Sequence, residues 1–175
     1  GRESAARWNG HEIDWAGEAM RLSGLALLQV QDSAGRIVSS GHFRNEYDEV
    51  RREALRFLTG VGGSPALVRG RTAEAPLLAL AAAESVSVAE RPLTLVGGIA
   101  AEERFLRGLD PDPDLTVALA PARSGQPGGA VVGVLALPFF DALTGAADSA
   151  RLVVTQSGAT LAALRRGLNT WVLVA

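Results

Sequence analysis

The sequence predicts an α+β protein built on a central antiparallel sheet, with helices on its flanks and at both chain ends. Three observations point there. Short apolar or alternating runs recur between residues 25 and 156, most of them bounded by turn residues. Neighbouring runs are joined by short connections, which suit antiparallel pairing because a parallel crossover needs a dozen or more residues. The end segments, 4–22 and 157–175, carry apolar residues at the helical spacing of three and four. With 175 residues, 47% of them apolar, the chain can bury a core as a single domain.

Residues 4–22 read as a helix. Trp8, Trp15 and Leu22 stand seven apart, and Ile13, Ala16 and Met20 form an adjoining stripe. Such spacing suits contact with another helix. Gly24 ends it. Leu25–Gln31 and Arg36–Ser40 form a hairpin around Asp32-Ser-Ala-Gly35, whose Asp and Gly fit turn dihedrals. Asn45–Leu58 reads as a helix, capped by Asn45, acidic in its first turn and basic after it. Gly60–Pro65 is a loop and Ala66–Arg71 a short strand. Leu77–Val88 and Pro92–Ile99 make a second hairpin, turned at 89–91. Ala101–Leu109 is a short helix, stopped by Asp110-Pro-Asp-Pro113. Leu115–Ala120, Ala130–Leu137 and Arg151–Gln156 are strands, with a polar turn over 123–129. The last helix starts near Ser157 and carries Leu161, Leu164 and Leu168 into the apolar run Trp171–Ala175. That run, together with a start lacking Met, is expected of a segment lying between two membrane helices.

Composition removes several function classes. The net charge of −2 gives no electrostatic reason to bind nucleic acid or an anionic membrane surface. All seventeen basic residues are Arg, the pattern of a GC-rich bacterial genome. The absence of Cys excludes disulfides, thiolate catalysis and Cys-based metal sites. The two histidines, His11 and His42, have no nucleophile elbow to serve, so a small hydrolase using His42 ranks last among the readings. Asp110, Asp112 and Asp114 lack the glycine and glutamate of a calcium loop and read as a rigid acidic turn. Gly97-Gly98 and Gly60–Gly63 match neither a dinucleotide loop nor a P-loop. No cofactor and no metal are expected.

The densest set of polar side chains is Ser39-Ser-Gly-His-Phe-Arg-Asn-Glu-Tyr47, just past the first hairpin. A small-molecule ligand is expected there. Arg44, Arg69 and Arg71 offer guanidinium forks, Phe43 and Tyr47 aromatic walls, and Ser39, Ser40 and His42 hydrogen bonds. The other reading of this stretch is a solvated connection.

The run Leu25-Ala-Leu-Leu-Gln-Val-Gln-Asp-Ser-Ala-Gly-Arg-Ile-Val-Ser-Ser-Gly-His-Phe-Arg-Asn-Glu-Tyr47 resembles the first hairpin of extracytoplasmic sensor domains in membrane-bound bacterial histidine kinases of the nitrogen-regulation type. Arg91–Gly98 followed by Phe105-Leu106, and Ala150–Val154 leading into Leu161–Leu164, resemble two further stretches. The resemblance implies a Cache/PAS-like fold with a long N-terminal helix, a periplasmic location and membrane helices on either side. It also implies a cytoplasmic kinase elsewhere in the protein, so that this chain is not itself an enzyme, and a homodimer joined through the terminal helices. The alternative is a soluble cytoplasmic PAS/GAF-like interaction domain.

Overall fold

A computed structural model describes residues 10–88, 90–109, 114–121 and 130–156. The protein is α+β, with a mixed eight-stranded sheet in the order β2-β1-β5-β4-β3-β7-β8-β6. The strands are β1 (Leu27–Asp32), β2 (Ile37–Ser40), β3 (Ala66–Arg71), β4 (Pro76–Val88), β5 (Arg91–Ala100), β6 (Leu115–Pro121), β7 (Ala130–Asp141) and β8 (Ala146–Gln156). The helices are α1 (Gly10–Ser23), α2 (Arg52–Gly60) and α3 (Glu103–Gly108), with a 3-10 turn at Arg44–Glu46.

Packing divides the chain into two compact units. One comprises residues 1–102 and 138–148, the other 103–137 and 149–175. In the first, β2-β1-β5-β4-β3 is antiparallel throughout and contains the two expected hairpins, the first with a register shift between Val30 and Gln31. The β1–β2 turn is held by Asp32, whose Oδ1 accepts the backbone N–H of Ala34 and of Arg36, both at 2.9 Å. Gly35 closes that turn at φ +78°, and a Cβ there would stand 3.3 Å from the Cα of Arg52. Gly35→Ala is expected to cost about 1–2 kcal/mol through the left-handed backbone. Thermal unfolding should show it as a loss of roughly 2–8 °C.

The sheet is not antiparallel throughout. Residues 139–141 of β7 pair in parallel with 67–69 of β3. The physical reason is the long excursion through 103–137, which lets the chain return beside β3 in the same direction. In the second unit, β6 pairs antiparallel with β8 over 115–121 and 150–156.

One face of the first unit's sheet carries the main core. Leu27, Val68, Ala79, Ala81 and Val96 pack with Leu58 of α2. Phe57 of α2 stacks on Phe140 at 5.2 Å. A smaller cluster, Val30, Val38 and Leu93, forms separately. Helix α1 seats against β2 at Gly41 and through Ser39, whose Oγ accepts the N–H of Ala16.

Several elements differ from expectation. Helix α1 is 14 residues, about 21 Å at 1.5 Å per residue, rather than the long helix expected. Residues 4–9, the 123–129 turn and the whole 157–175 segment lie outside the described residues, as does Trp8. The helix expected over Asn45–Leu58 is broken. Asp48 takes φ +68°, and the chain from 48 to 51 pairs with the edge of the first hairpin instead. Asp48 donates its N–H to Ile37, Ile37 donates to Glu49, and Arg51 donates to Gly35. Those tertiary bonds outweigh local helix propensity, so α2 starts only at Arg52 and Asn45 is not its cap. Strands β7 and β8 also run longer than expected, around a turn at 142–145. Asp141 Oδ1 accepts the Leu143 N–H there at 2.9 Å, and Gly145 sits at φ +74°. Among the described residues no helix is long and apolar enough to cross a membrane.

Candidate functional site

The edge pairing just described pins the segment that crosses the core face between β2 and α2. It delivers Glu46 and Arg51 over the sheet. Strand alternation brings Gln29 and Gln31 of β1 up beneath them, since residues two apart share a face. Between these layers lies a cavity of about 40 Å3. Its polar lining is Gln29, Gln31, His42, Glu46 and Arg51; Leu58, Val68 and Val96 supply apolar walls. Gly70 of β3 forms part of the floor, where a Cβ would meet only Leu27 Cδ1, at 4.0 Å.

The polar groups form one chain. Gln29 Nε2 donates to Glu46 Oε2 at 2.5 Å, and Gln31 Nε2 donates to Gln29 Oε1 at 3.0 Å. His42 Nε2 lies 3.4 Å from Glu46 Oε2, and His42 Nδ1 lies 3.4 Å from Ser40 Oγ. The imidazole is nearly closed off, at 2% exposure. Arg51 binds Glu49 at 2.6 Å and reaches Glu46 only at 3.8 Å. Among the described residues Gln31 Oε1 has no hydrogen-bond partner, although the residue is 1% exposed. An unsatisfied buried acceptor costs about 1–3 kcal/mol.

A second opening of about 100 Å3 adjoins the first. It shares Glu46, Arg51, Gly70 and Ala142 with the cavity and adds Arg71 and Leu143. A third hollow, open and about 460 Å3, lies elsewhere on this unit, beside Arg36, Tyr47, Asp48 and Arg91. There the hydrogen bond from Arg36 to Asp48, and the charge of Asp48, hold the guanidinium above its ordinary value. Arg36 is occupied by that pairing.

The expected ligand residues divide. His42 lines the cavity and Ser40 contacts it from beneath. Phe43 is half-buried under the guanidinium of Arg71, at 4.7 Å, by the outer opening. Ser39 is buried but turned to α1 rather than to the cavity. Tyr47 lines the open hollow instead. Arg69 alternates away from Val68 and Gly70 and pairs with Asp141 at 3.6 Å. The side chain of Arg44 lies outside what is described. Gln29, Gln31, Glu46, Arg51 and Gly70 escaped the sequence reading. The signal for the two glutamines was there: polar residues at alternate positions in the otherwise apolar run Leu27-Leu-Gln-Val-Gln.

Compared with known proteins, the chain matches no protein-family model, no curated protein and no solved structure.

Proposed function

We propose that this chain is a ligand-sensing domain, the extracytoplasmic sensor of a membrane-bound bacterial histidine kinase, and that its ligand enters the cavity between β1 and α2. One observation carries the reading: the small cavity, lined by buried polar side chains among apolar walls, sits one residue away from the seat of α1. Ser39 touches α1, Ser40 touches His42, Gly41 lies against α1, and His42 faces Glu46 in the cavity. A ligand that pulls on Glu46 and His42 therefore acts on the same four-residue segment that holds the helix. Two arrangements of α1 with different ligand affinity suffice to pass the signal on.

The antiparallel order β2-β1-β5-β4-β3, with a helical connection laid across one face, supports a Cache/PAS-like reading of the first unit. Trp15 and Leu22, exposed at 52% and 83%, support the dimer: they present a seven-residue stripe on α1 to a second copy.

The test is a calorimetric screen of small polar molecules on the wild type and on Gly70→Val, whose side chain fills the cavity floor. A ligand that binds the wild type and is lost in Gly70→Val is the expected result. Equal binding to both would overturn this location. In the full-length protein Trp15→Cys, which would be the one Cys of this chain, is a crosslinking probe of α1. Crosslinking between copies should change when ligand is added.

A further inference from the structure

We propose that the free edge of β4, over residues 82–88, pairs with the same edge of a second copy of this chain, antiparallel and about a two-fold axis at Ser85. The inference stands apart from the sensing reading and from the α1 stripe.

Strand lengths create the edge. β4 pairs with β5 over 79–88 without a register shift, but with β3 only over 76–81. Beyond Ala81 no strand among the described residues pairs with that side of β4. Backbone parity says which groups are left over. Leu78 O accepts the N–H of Ala101 at the end of β5, and Ala75 O accepts the N–H of Thr72 at the end of β3. Peptide groups alternate sides along a strand, so even-numbered residues of β4 face β5 and odd-numbered ones face away from it. Ala83, Ser85 and Ser87 therefore turn their N–H and C=O groups to the open side, and among the described residues nothing bonds them there. Ser85 and Ser87 are exposed. At the opposite edge of the same unit the chain seals itself, since Ile37 of β2 bonds Asp48 and Glu49.

The edge is its own complement, which is why a second copy fits it. The segment reads Ala-Ala-Glu-Ser-Val-Ser-Val, with one charge and neither the Pro nor the Lys that keep strands apart. Antiparallel alignment on its midpoint sets Ser85 against Ser85 and Ala83 against Ser87. Every outward N–H then meets an outward C=O, two bonds for each of three pairs, six in all. Glu84 comes opposite Val86, whereas an axis centred on Glu84 would oppose two carboxylates. Val88, 56% exposed, gains cover from the partner's Ala82. Contacts confined to one strand per copy fall short of the about 1,200 Å2 of a stable interface, so the dimer is reversible and concentration-dependent.

Sedimentation over a concentration series measures the association, and single cysteines locate it. The wild type should dimerise reversibly. Ser85→Pro removes an N–H that β4 does not use within its own sheet, so the monomer should stay folded while dimerisation weakens roughly tenfold or more, each copy losing its central donor. If Ser85→Pro does not fold, Ser85→Lys decides, since position 85 is exposed and the change sets two like charges face to face. The sequence has no Cys, so each introduced thiol is the one thiol of the chain. A short thiol crosslinker should join two copies of Ser85→Cys across the axis, where opposed Cα atoms lie about 5.5 Å apart. Ser87→Cys should stay unlinked, because its two thiols stand four residues apart along the pair, about 13 Å. A monomer at every concentration, dimerisation untouched by the changes at Ser85, or equal crosslinking from Ser85→Cys and Ser87→Cys would overturn the proposal. So would loss of the dimer in Leu22→Ser, which would assign the association to α1.

Discussion

Replacing Leu58 by alanine should destabilise the protein by about 2–5 kcal/mol, the largest effect expected of any single truncation here. Leu58 is 2% exposed and joins α2 to strands β1, β3, β4 and β5. Its loss removes the transfer free energy of the side chain and leaves a void that the sheet beneath cannot close. In thermal unfolding this should appear as a fall of roughly 4–20 °C. Leu58 also lines the cavity beside Gln29 and Glu46, so the same change enlarges it. If the sensing reading holds, a bulkier ligand should recover part of the lost stability, because whatever binds the native state alone stabilises it. A loss below about 1 kcal/mol would mean that α2 is not packed as described.

Gly41→Ala is expected to cost about 1–3 kcal/mol, with the damage concentrated at α1. A Cβ on residue 41 would stand 2.5 Å from Met20 Sδ and 2.6 Å from the carbonyl oxygen of Ala16. Met20 can swing aside; a helix carbonyl cannot. Helix α1 must therefore move off β2, and the Ala16 N–H to Ser39 Oγ contact, 3.4 Å long, should go with it. Amide exchange in 10–23 should rise well above that of β3–β5, which keep their pairing. Gly17→Ala on the same helix is the control. Nothing lies within 4 Å of a Cβ there, and alanine should add up to about 1 kcal/mol of helix stability. If both changes behave alike, Gly41 is not the seat of α1. If the sensing reading holds, Gly41→Ala should leave the cavity able to bind while the response through α1 is lost.

These two residues also mark how far the sequence could be read. The hairpins at 27–40 and 76–100 were legible because apolar alternation and the Asp-x-x-Gly turn are local signals that the sheet reinforces. The Asp141–Gly145 turn carries the same chemistry but escaped the reading, its Gly standing four residues after the Asp rather than three. Leu58 announced itself as core by helical period alone.

What the sequence by itself determined is therefore the α+β class, the strands of the antiparallel sheet and the face that α2 buries, all set by short-range pattern. Tertiary structure alone decided the rest. Asp48 left the helix because pairing with Ile37 and its neighbours is worth more than one local turn, and no local signal reports a partner eleven residues away. β7 lies parallel to β3 because the chain returns from a distant excursion. Expected site residues were chosen for their chemistry in two stretches of chain, 39–47 and 69–71. Alternation then turned Ser39 and Arg69 away from the cavity, while Gln29 and Gln31 came to it from β1 and Gly70 from β3. A site assembled across strands is a product of register and pairing, and those are fixed by contacts between residues far apart in the chain.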